Sequence, residues 1–141
     1  MDKKPNTTAI DISERILASV KCDNYAGYDP FDSLNSKFIQ KTRLIDNATF
    51  RLLFLQLGKR SPINLRPMLG IPKDRNPKGI ALFILGMIQD YLRTRDYNYI
   101  IEATQLADWL LAQRCDPSVW RNSCWGYHFD WQARAFFVPA G

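Results

Sequence analysis

Apolar residues recur at helical spacing near the start of the chain. Polar residues fill the positions between them, which is typical of an amphipathic helix. Four apolar residues form the stripe: Ile12, Ile16, Leu17 and Val20. The pattern predicts a first helix that begins near Thr7 or Thr8 and ends at 22–24.

The segment "NATFRLLFLQLGKRSP" predicts a second helix. Asn47 is a candidate N-cap, and Gly58 is a candidate stop signal. The apolar stripe has the i, i+3, i+4, i+7 spacing of a single helix face: Phe50, Leu53, Phe54 and Leu57.

Two further helices are predicted at about 78–94 and 97–114. The first is apolar on nearly every side from Ile80 to Ile88, so it requires neighbours all around it. The second alternates apolar and polar residues, and the short connection between them indicates an antiparallel αα-hairpin. A strand pattern of comparable strength first occurs in "AFFVP". We therefore expect a mainly α fold in which 1–141 is one helical domain. It is either the N-terminal part of a longer protein or a chain that completes its core by oligomerising.

The loops between these helices are long and contain many turn-forming residues. "NYAGYDPFDSLNS" is predicted to be a loop, and "SPINLRPMLGIPKDRNPKG" has four prolines, which forbid a regular helix. The net charge is +5, and the 59–78 region has six basic residues against Asp74. This excess favours an anionic partner, although a solvated loop surface would have the same composition.

Composition is that of a soluble globular protein, with 46% hydrophobic and 23% charged residues. The three cysteines form no CxxC pair, which fits a reducing compartment. No apolar segment follows "MDKKPNTT" directly, and "GIALFILGMI" is too short to span a bilayer. We expect a cytoplasmic protein without a membrane span.

Aromatic residues are concentrated in "CWGYHFDW" at 124–131. In an extended segment, alternate residues point to opposite sides. Trp125, Tyr127, Phe129 and Trp131 would then share one side, and His128, Asp130 and Gln132 the other. Such rings either stack on the C–H face of a sugar or cover the ends of helices, and the sequence leaves both readings open.

Four residues are candidates for catalysis: Asp29, Asp32, His128 and Asp130. His128 and Asp130 would form an acid–base pair, and glycoside hydrolysis would use two of the three carboxylates. The alternatives are ordinary structural roles, because a histidine is often a hydrogen-bond partner and Asp29 and Asp32 can cap turns. Cys124, His128 and Asp130 do not match a metal-ligand spacing, and no phosphate-binding motif occurs, so we expect no metal and no cofactor.

Three segments carry a resemblance to a known family: "YAGYDPFDSLNS", "SPINLRPMLGIPK" and "CWGYHFDWQARAFFVPAG". From about Tyr25 to Gly141 the chain resembles the N-terminal portion of a poorly characterised family of (α/α)-toroid proteins. These proteins are similar to six-hairpin glycosidases and occur in bacterial and archaeal loci for surface-polysaccharide biosynthesis.

The resemblance implies a carbohydrate-active or glycan-binding protein whose site lies at the loops that connect the hairpins. Six residues would contact the sugar: Tyr28, Arg66, Trp125, Tyr127, Trp131 and Arg134. The alternative is a non-enzymatic helical module that binds an anionic partner or a protein through its basic proline-rich loop. Nucleic acid is not expected, because that loop has no aromatic residues for base stacking.

Overall fold

The computed structural model describes residues 8–141. Helix α1 spans Ala9–Cys22 and begins with a capping box. The Thr8 hydroxyl accepts a hydrogen bond from the Asp11 amide at 3.2 Å, and the Asp11 carboxylate accepts one from the Thr8 amide at 2.9 Å. This confirms the start predicted at Thr8, while Thr7 lies outside the described residues.

Helix α2 spans Ala48–Arg60, and the Asn47 side chain caps it by accepting from the Phe50 amide at 3.1 Å. The N-cap prediction is therefore confirmed. The predicted stop at Gly58 is wrong, because the helix continues to Arg60. Gly58 instead lies where α2 passes close to another segment: a Cβ atom added to Gly58 would be 1.8 Å from Ser33 Oγ.

Helices α3 (Pro77–Thr94) and α4 (Asn98–Ala112) pack against each other and form the predicted hairpin. The start of α3 has two strong signals: Asn76 Oδ1 accepts from the Lys78 amide at 3.0 Å, and Pro77 occupies the first turn. The buried core of the hairpin consists of Ile80, Met87, Ala103 and Leu106.

Helix α1 and the loop after it pack on this hairpin. Leu17 and Tyr25 contact the hairpin core, and the Tyr25 ring meets Phe83 edge-on at 5.4 Å between centroids. The Tyr25 hydroxyl donates to Glu102, which also forms an ion pair with Lys21. Burial, with Glu102 beside it, raises the pKa of Tyr25 well above its usual value.

The loop segments form a second layer around α2. Three short 3₁₀ turns follow one another at Asp32–Asn35, Ile39–Lys41 and Arg43–Asp46. Near the end of the chain, β1 (Trp131–Gln132) pairs antiparallel with β2 (Phe137–Val138). This hairpin contacts α2, where Arg51 Nε donates to Gln132 Oε1 at 2.7 Å.

The mainly α class is confirmed, with four α-helices within residues 8–141. These helices include one αα-hairpin and do not close a ring, so the toroid remains a prediction. The expectation that α3 is covered on all sides is not met here, since Leu82 and Leu85 are 61% and 60% exposed. Across the described residues, every helix falls short of the length and apolar character needed to cross a membrane.

Candidate functional site

Two adjoining cavities lie at the N-terminal end of α3, and together we call them the aromatic cleft. The larger has a volume of about 460 Å³ and lies between the first turn of α3, Leu110 of α4 and Trp125. The smaller, of about 240 Å³, lies between Phe31 and Trp131. Three residues line both cavities: Asn76, Lys78 and Tyr127.

Trp125 and Tyr127 contact the rest of the protein and are also partly exposed to solvent. Trp125 Nε1 donates to the Leu110 carbonyl at 2.6 Å, yet 39% of Trp125 is exposed. Tyr127 is 45% exposed and stacks on the buried Phe129 ring, with centroids 5.1 Å apart. Two amphipathic rings of this kind offer accessible faces in fixed positions.

In the 125–132 segment, the aromatic residues line the aromatic cleft and the polar residues do not. All four aromatic residues line the aromatic cleft: Trp125, Tyr127, Phe129 and Trp131. The three polar residues between and after them do not: His128, Asp130 and Gln132. Gln132 is buried and bonds to Arg51, as described above. The cleft therefore presents rings, and its polar groups come from other segments.

Asn35 holds the aromatic segment in place. Its Nδ2 atom donates to the His128 carbonyl at 2.9 Å, and its Oδ1 atom accepts from the Asp130 amide at 3.3 Å. One side-chain amide thus satisfies two backbone groups of a segment without regular secondary structure. Sequence reasoning missed this residue, because Asn35 occurs in a loop rich in turn-forming residues and nothing local marks its distant partners.

Asp32 and Arg66 form a buried ion pair beneath the Asp29–Asp32 turn. Arg66 Nε donates to Asp32 Oδ1 at 2.8 Å, and Arg66 Nη2 donates to the Asp29 carbonyl at 3.0 Å. Asp32 is 1% exposed, and its burial raises the pKa of the carboxyl although Arg66 acts in the opposite direction. Neither residue lines the aromatic cleft. Their contacts fit the structural reading rather than a sugar contact.

Asp29 is the candidate carboxylate that does reach the cleft. Its Oδ1 atom accepts from the Phe31 amide at 2.9 Å, and its Oδ2 atom lies 3.5 Å from Asn76 Nδ2. The first contact is a good hydrogen bond and the second is a long one. Asp29 thus caps its own turn and also contributes a polar group to the smaller cavity.

His128 and Asp130 are not joined by a hydrogen bond in the described part of the chain. Asp130 Oδ1 accepts from the Ala140 amide at 2.8 Å, and the His128 ring lies edge-on to Phe129 at 5.0 Å. His128 Nδ1 is buried, and within residues 8–141 it has no hydrogen-bond partner. The acid–base pair is therefore not assembled in this structure.

Tyr28 and Arg134 do not line the aromatic cleft. Tyr28 and His128 line an adjoining cavity of about 150 Å³, which shares Asp29 and Asn76 with the smaller cavity of the cleft. The Arg66 guanidinium and the Lys73 ammonium lie 5.8 Å and 5.9 Å from the Tyr28 ring centroid. Arg134 is exposed in the turn between β1 and β2. The site residues predicted from the sequence thus fall into separate groups.

Most basic residues of the 59–78 region form contacts within the protein. Besides Arg66, Lys73 pairs with Asp23 at 2.8 Å, and Arg75 Nε donates to the Asn24 carbonyl at 2.8 Å. The Lys59 ammonium lies 4.5 Å from the Phe31 ring centroid. These contacts attach the loop to α1 and to the Asp29–Asp32 turn, and Lys78 is left at the aromatic cleft.

Asn76 and Lys78 are polar cleft residues that sequence reasoning did not select as a site. The Asn-Pro pair at 76–77 is a recognisable helix start. That signal indicates where α3 begins, but not that the 125–131 segment lies against its first turn.

The residues that the structure describes contain no group of three or more His, Cys, Asp or Glu side chains suited to a metal ion. Comparison of the chain with models of protein families, with curated proteins and with solved structures found no match.

Proposed function

We propose that this protein binds glycans in the aromatic cleft and acts in surface-polysaccharide biosynthesis. The observation that carries the proposal is the exposure of Trp125 and Tyr127 beside polar groups in a cavity of about 460 Å³. The assignment to polysaccharide biosynthesis rests on the resemblance described from the sequence.

The chemistry of the cleft suits a sugar. A pyranose has an apolar C–H face that packs on an aromatic ring, and its hydroxyl groups both donate and accept hydrogen bonds. Asp29 offers carboxylate oxygens as acceptors, and Asn76 and Lys78 offer donors at the same place. The larger cavity also falls within the range of about 300–1,000 Å³ that is usual for small-molecule sites.

Binding is better supported than glycoside hydrolysis. Hydrolysis requires two carboxyl groups on either side of one glycosidic bond. Of the three candidate carboxylates, Asp29 lines the cleft, whereas Asp32 is paired with Arg66 and Asp130 accepts from the Ala140 amide. We therefore propose Asp29 as a sugar-binding residue and assign no catalytic pair.

The charge of the larger cavity favours an acidic glycan over a neutral one, because Lys78 is the charged residue that lines it, whereas Asp29 opposes Lys78 in the smaller cavity. Lys78 lines both cavities, and the chain carries a net charge of +5. A uronic acid carboxylate or a phosphate substituent beside Lys78 would form a charge-assisted hydrogen bond. Neutral sugars would keep the stacking contacts but lose this one.

Tryptophan fluorescence titrated with acidic and neutral oligosaccharides tests the proposal. We expect a saturable change that Trp125→Ala and Tyr127→Ala abolish, and a weaker response of the wild type to neutral sugars. Trp120→Ala is the matched control, because Trp120 is exposed but does not line the cleft. The proposal fails if no saccharide binds, or if the three variants bind equally well.

The alternative of an anionic partner at the proline-rich loop has less support. Arg66 is largely buried in its pair with Asp32, and an anion at Lys73 would compete with Asp23. Binding of an acidic polymer that is unaffected by Trp125→Ala would favour this alternative.

A further inference from the structure

Cys115 and Cys124 lie next to each other at the base of the loop that follows α4. The Cys115 amide donates to the Cys124 carbonyl at 3.0 Å, so the backbone returns on itself between these two residues. Both residues are partly buried, and the neighbouring Cys115 contributes to raising the pKa of the Cys124 thiol. Cys22 lies exposed at the end of α1.

The backbone contact suits a covalent bond between the two sulfur atoms. Because the Cys115 nitrogen lies 3.0 Å from the Cys124 carbonyl oxygen, standard backbone dimensions hold the two Cα atoms within about 7 Å of each other. Disulfides join residues whose Cα atoms are about 4.4–6.8 Å apart. The chain therefore needs little movement at this point for the thiols to be joined.

We propose that Cys115 and Cys124 form a reversible redox modification site, at which an intramolecular disulfide forms by exchange with a small-molecule disulfide such as glutathione disulfide. The bond would close a ring over 115–124, directly before Trp125. The proposal is independent of glycan binding.

The exchange balances in two steps. One cysteine thiolate attacks a sulfur of glutathione disulfide, which forms a mixed disulfide and releases one glutathione thiolate. The thiolate of the other cysteine then attacks the mixed disulfide at the protein sulfur and releases the second glutathione. The two protein thiols lose two protons and two electrons, and the electrons reduce one glutathione disulfide to two glutathiones.

The surroundings of the pair favour the second step. Because the other thiol belongs to the same chain and lies close by, ring closure is intramolecular and proceeds at a high effective concentration.

Burial, together with Cys115, raises the pKa of the Cys124 thiol. The exchange should therefore become faster as the pH rises towards the alkaline range, since the thiolate is the reacting form.

Peptide mapping after equilibration with glutathione tests the site. Cys22→Ser protein is incubated with glutathione and glutathione disulfide at set ratios, free thiols are then alkylated, and the protein is cleaved with trypsin. Cleavage after Arg114, Arg121 and Arg134 separates the two cysteines into peptides 115–121 and 122–134. We expect these peptides to be linked, the intact protein to be lighter by about 2 Da before alkylation, and a reductant to reverse both changes.

Two comparisons test whether the folded structure promotes the disulfide between Cys115 and Cys124. Cys22→Ser/Cys115→Ser protein has a single thiol and should accumulate one glutathione as a mixed disulfide. The same equilibration in concentrated urea should need at least about tenfold more glutathione disulfide for half-oxidation of the pair.

Three results would overturn the proposal. The first is a doubly glutathionylated Cys22→Ser protein without linked peptides. The second is a pair that stays reduced at ratios that modify the Cys22→Ser/Cys115→Ser variant. The third is equal oxidation in native buffer and in urea.

Discussion

Arg66 donates a hydrogen bond from Nε to Oδ1 of Asp32 at 2.8 Å, and the carboxylate that receives it is almost fully buried. The same guanidinium binds the Asp29 carbonyl. One arginine of the proline-rich loop therefore fixes the turn that places Asp29 at the aromatic cleft. The Asp32–Arg66 pair positions Asp29, and we expect its loss to lower the free energy of unfolding.

We expect Arg66→Met to lower the free energy of unfolding by about 3 kcal/mol, because it leaves the Asp32 carboxylate buried without its partner. Urea unfolding at neutral pH measures the change. Arg60→Met is the control, since Arg60 is exposed in the last turn of α2. Equal stabilities of the two variants would show that the ion pair contributes nothing measurable.

Gly58→Ala should lower the free energy of unfolding by about 1–3 kcal/mol, because the new methyl group would overlap Ser33 Oγ and push α2 away from the Asp32–Asn35 turn. Gly86→Ala is the matched control in α3. Nothing lies within 4 Å of a Cβ atom added there, so helix propensity should stabilise that variant by up to about 1 kcal/mol. If both substitutions raise the free energy of unfolding, the close approach of Gly58 to Ser33 does not limit stability.

The helices could be predicted because their signals are local. Thr8 and Asn47 directly precede the first turns that they cap, and the pattern of α4 needs only its own residues. Gly58 was misread for the opposite reason. Its contact with Ser33 comes from a segment distant in sequence, and a glycine within a helix resembles a stop signal when that partner is not visible.

Tyr25 should make the protein sensitive to alkaline pH. The pKa of Tyr25 is raised in the folded state above its unfolded value of about 10, so the folded protein keeps a proton that the unfolded chain has lost. The stabilisation is present below pH 10 and is lost as the pH rises towards the folded-state pKa.

Urea unfolding between pH 9 and about 11 measures this effect. The free energy of unfolding of the wild type should fall more steeply with pH than that of Tyr25→Phe. The difference in slope should correspond to the release of close to one more proton on unfolding of the wild type. Tyr97→Phe, at a tyrosine that is 64% exposed, should keep the wild-type slope. The same slope in all three proteins would contradict the prediction.

The exposed leucines of α3 should bind a hydrophobic dye. Leu82 and Leu85 lie one helical turn apart and present side chains to solvent, and accessible apolar surface is where such a dye binds. The double variant Leu82→Gln/Leu85→Gln should lower the dye fluorescence at least about twofold. Its free energy of unfolding should stay within about 0.5 kcal/mol of the wild type, because neither leucine is buried. An unchanged dye signal would mean that the dye binds elsewhere.

The candidate site was only partly visible in the sequence. The density of rings in 125–131 pointed to the segment that lines the cleft, because such a concentration is rare enough to stand out. Asp32 and Arg66 had the right chemistry for a site but lie beneath it. Asn76 and Lys78 have ordinary local roles at a helix start, and only long-range packing brings them to Tyr127.

Asn35 joins backbone groups that lie 93 and 95 positions further along the chain. Closing so long a span costs conformational entropy before any contact is gained, so we expect the cleft to form late in folding. During synthesis, a nascent chain whose helices have already emerged from the ribosome would still lack the aromatic cleft. The cleft therefore needs both Asn35 and the 125–131 segment, and neither half of the chain should form it alone.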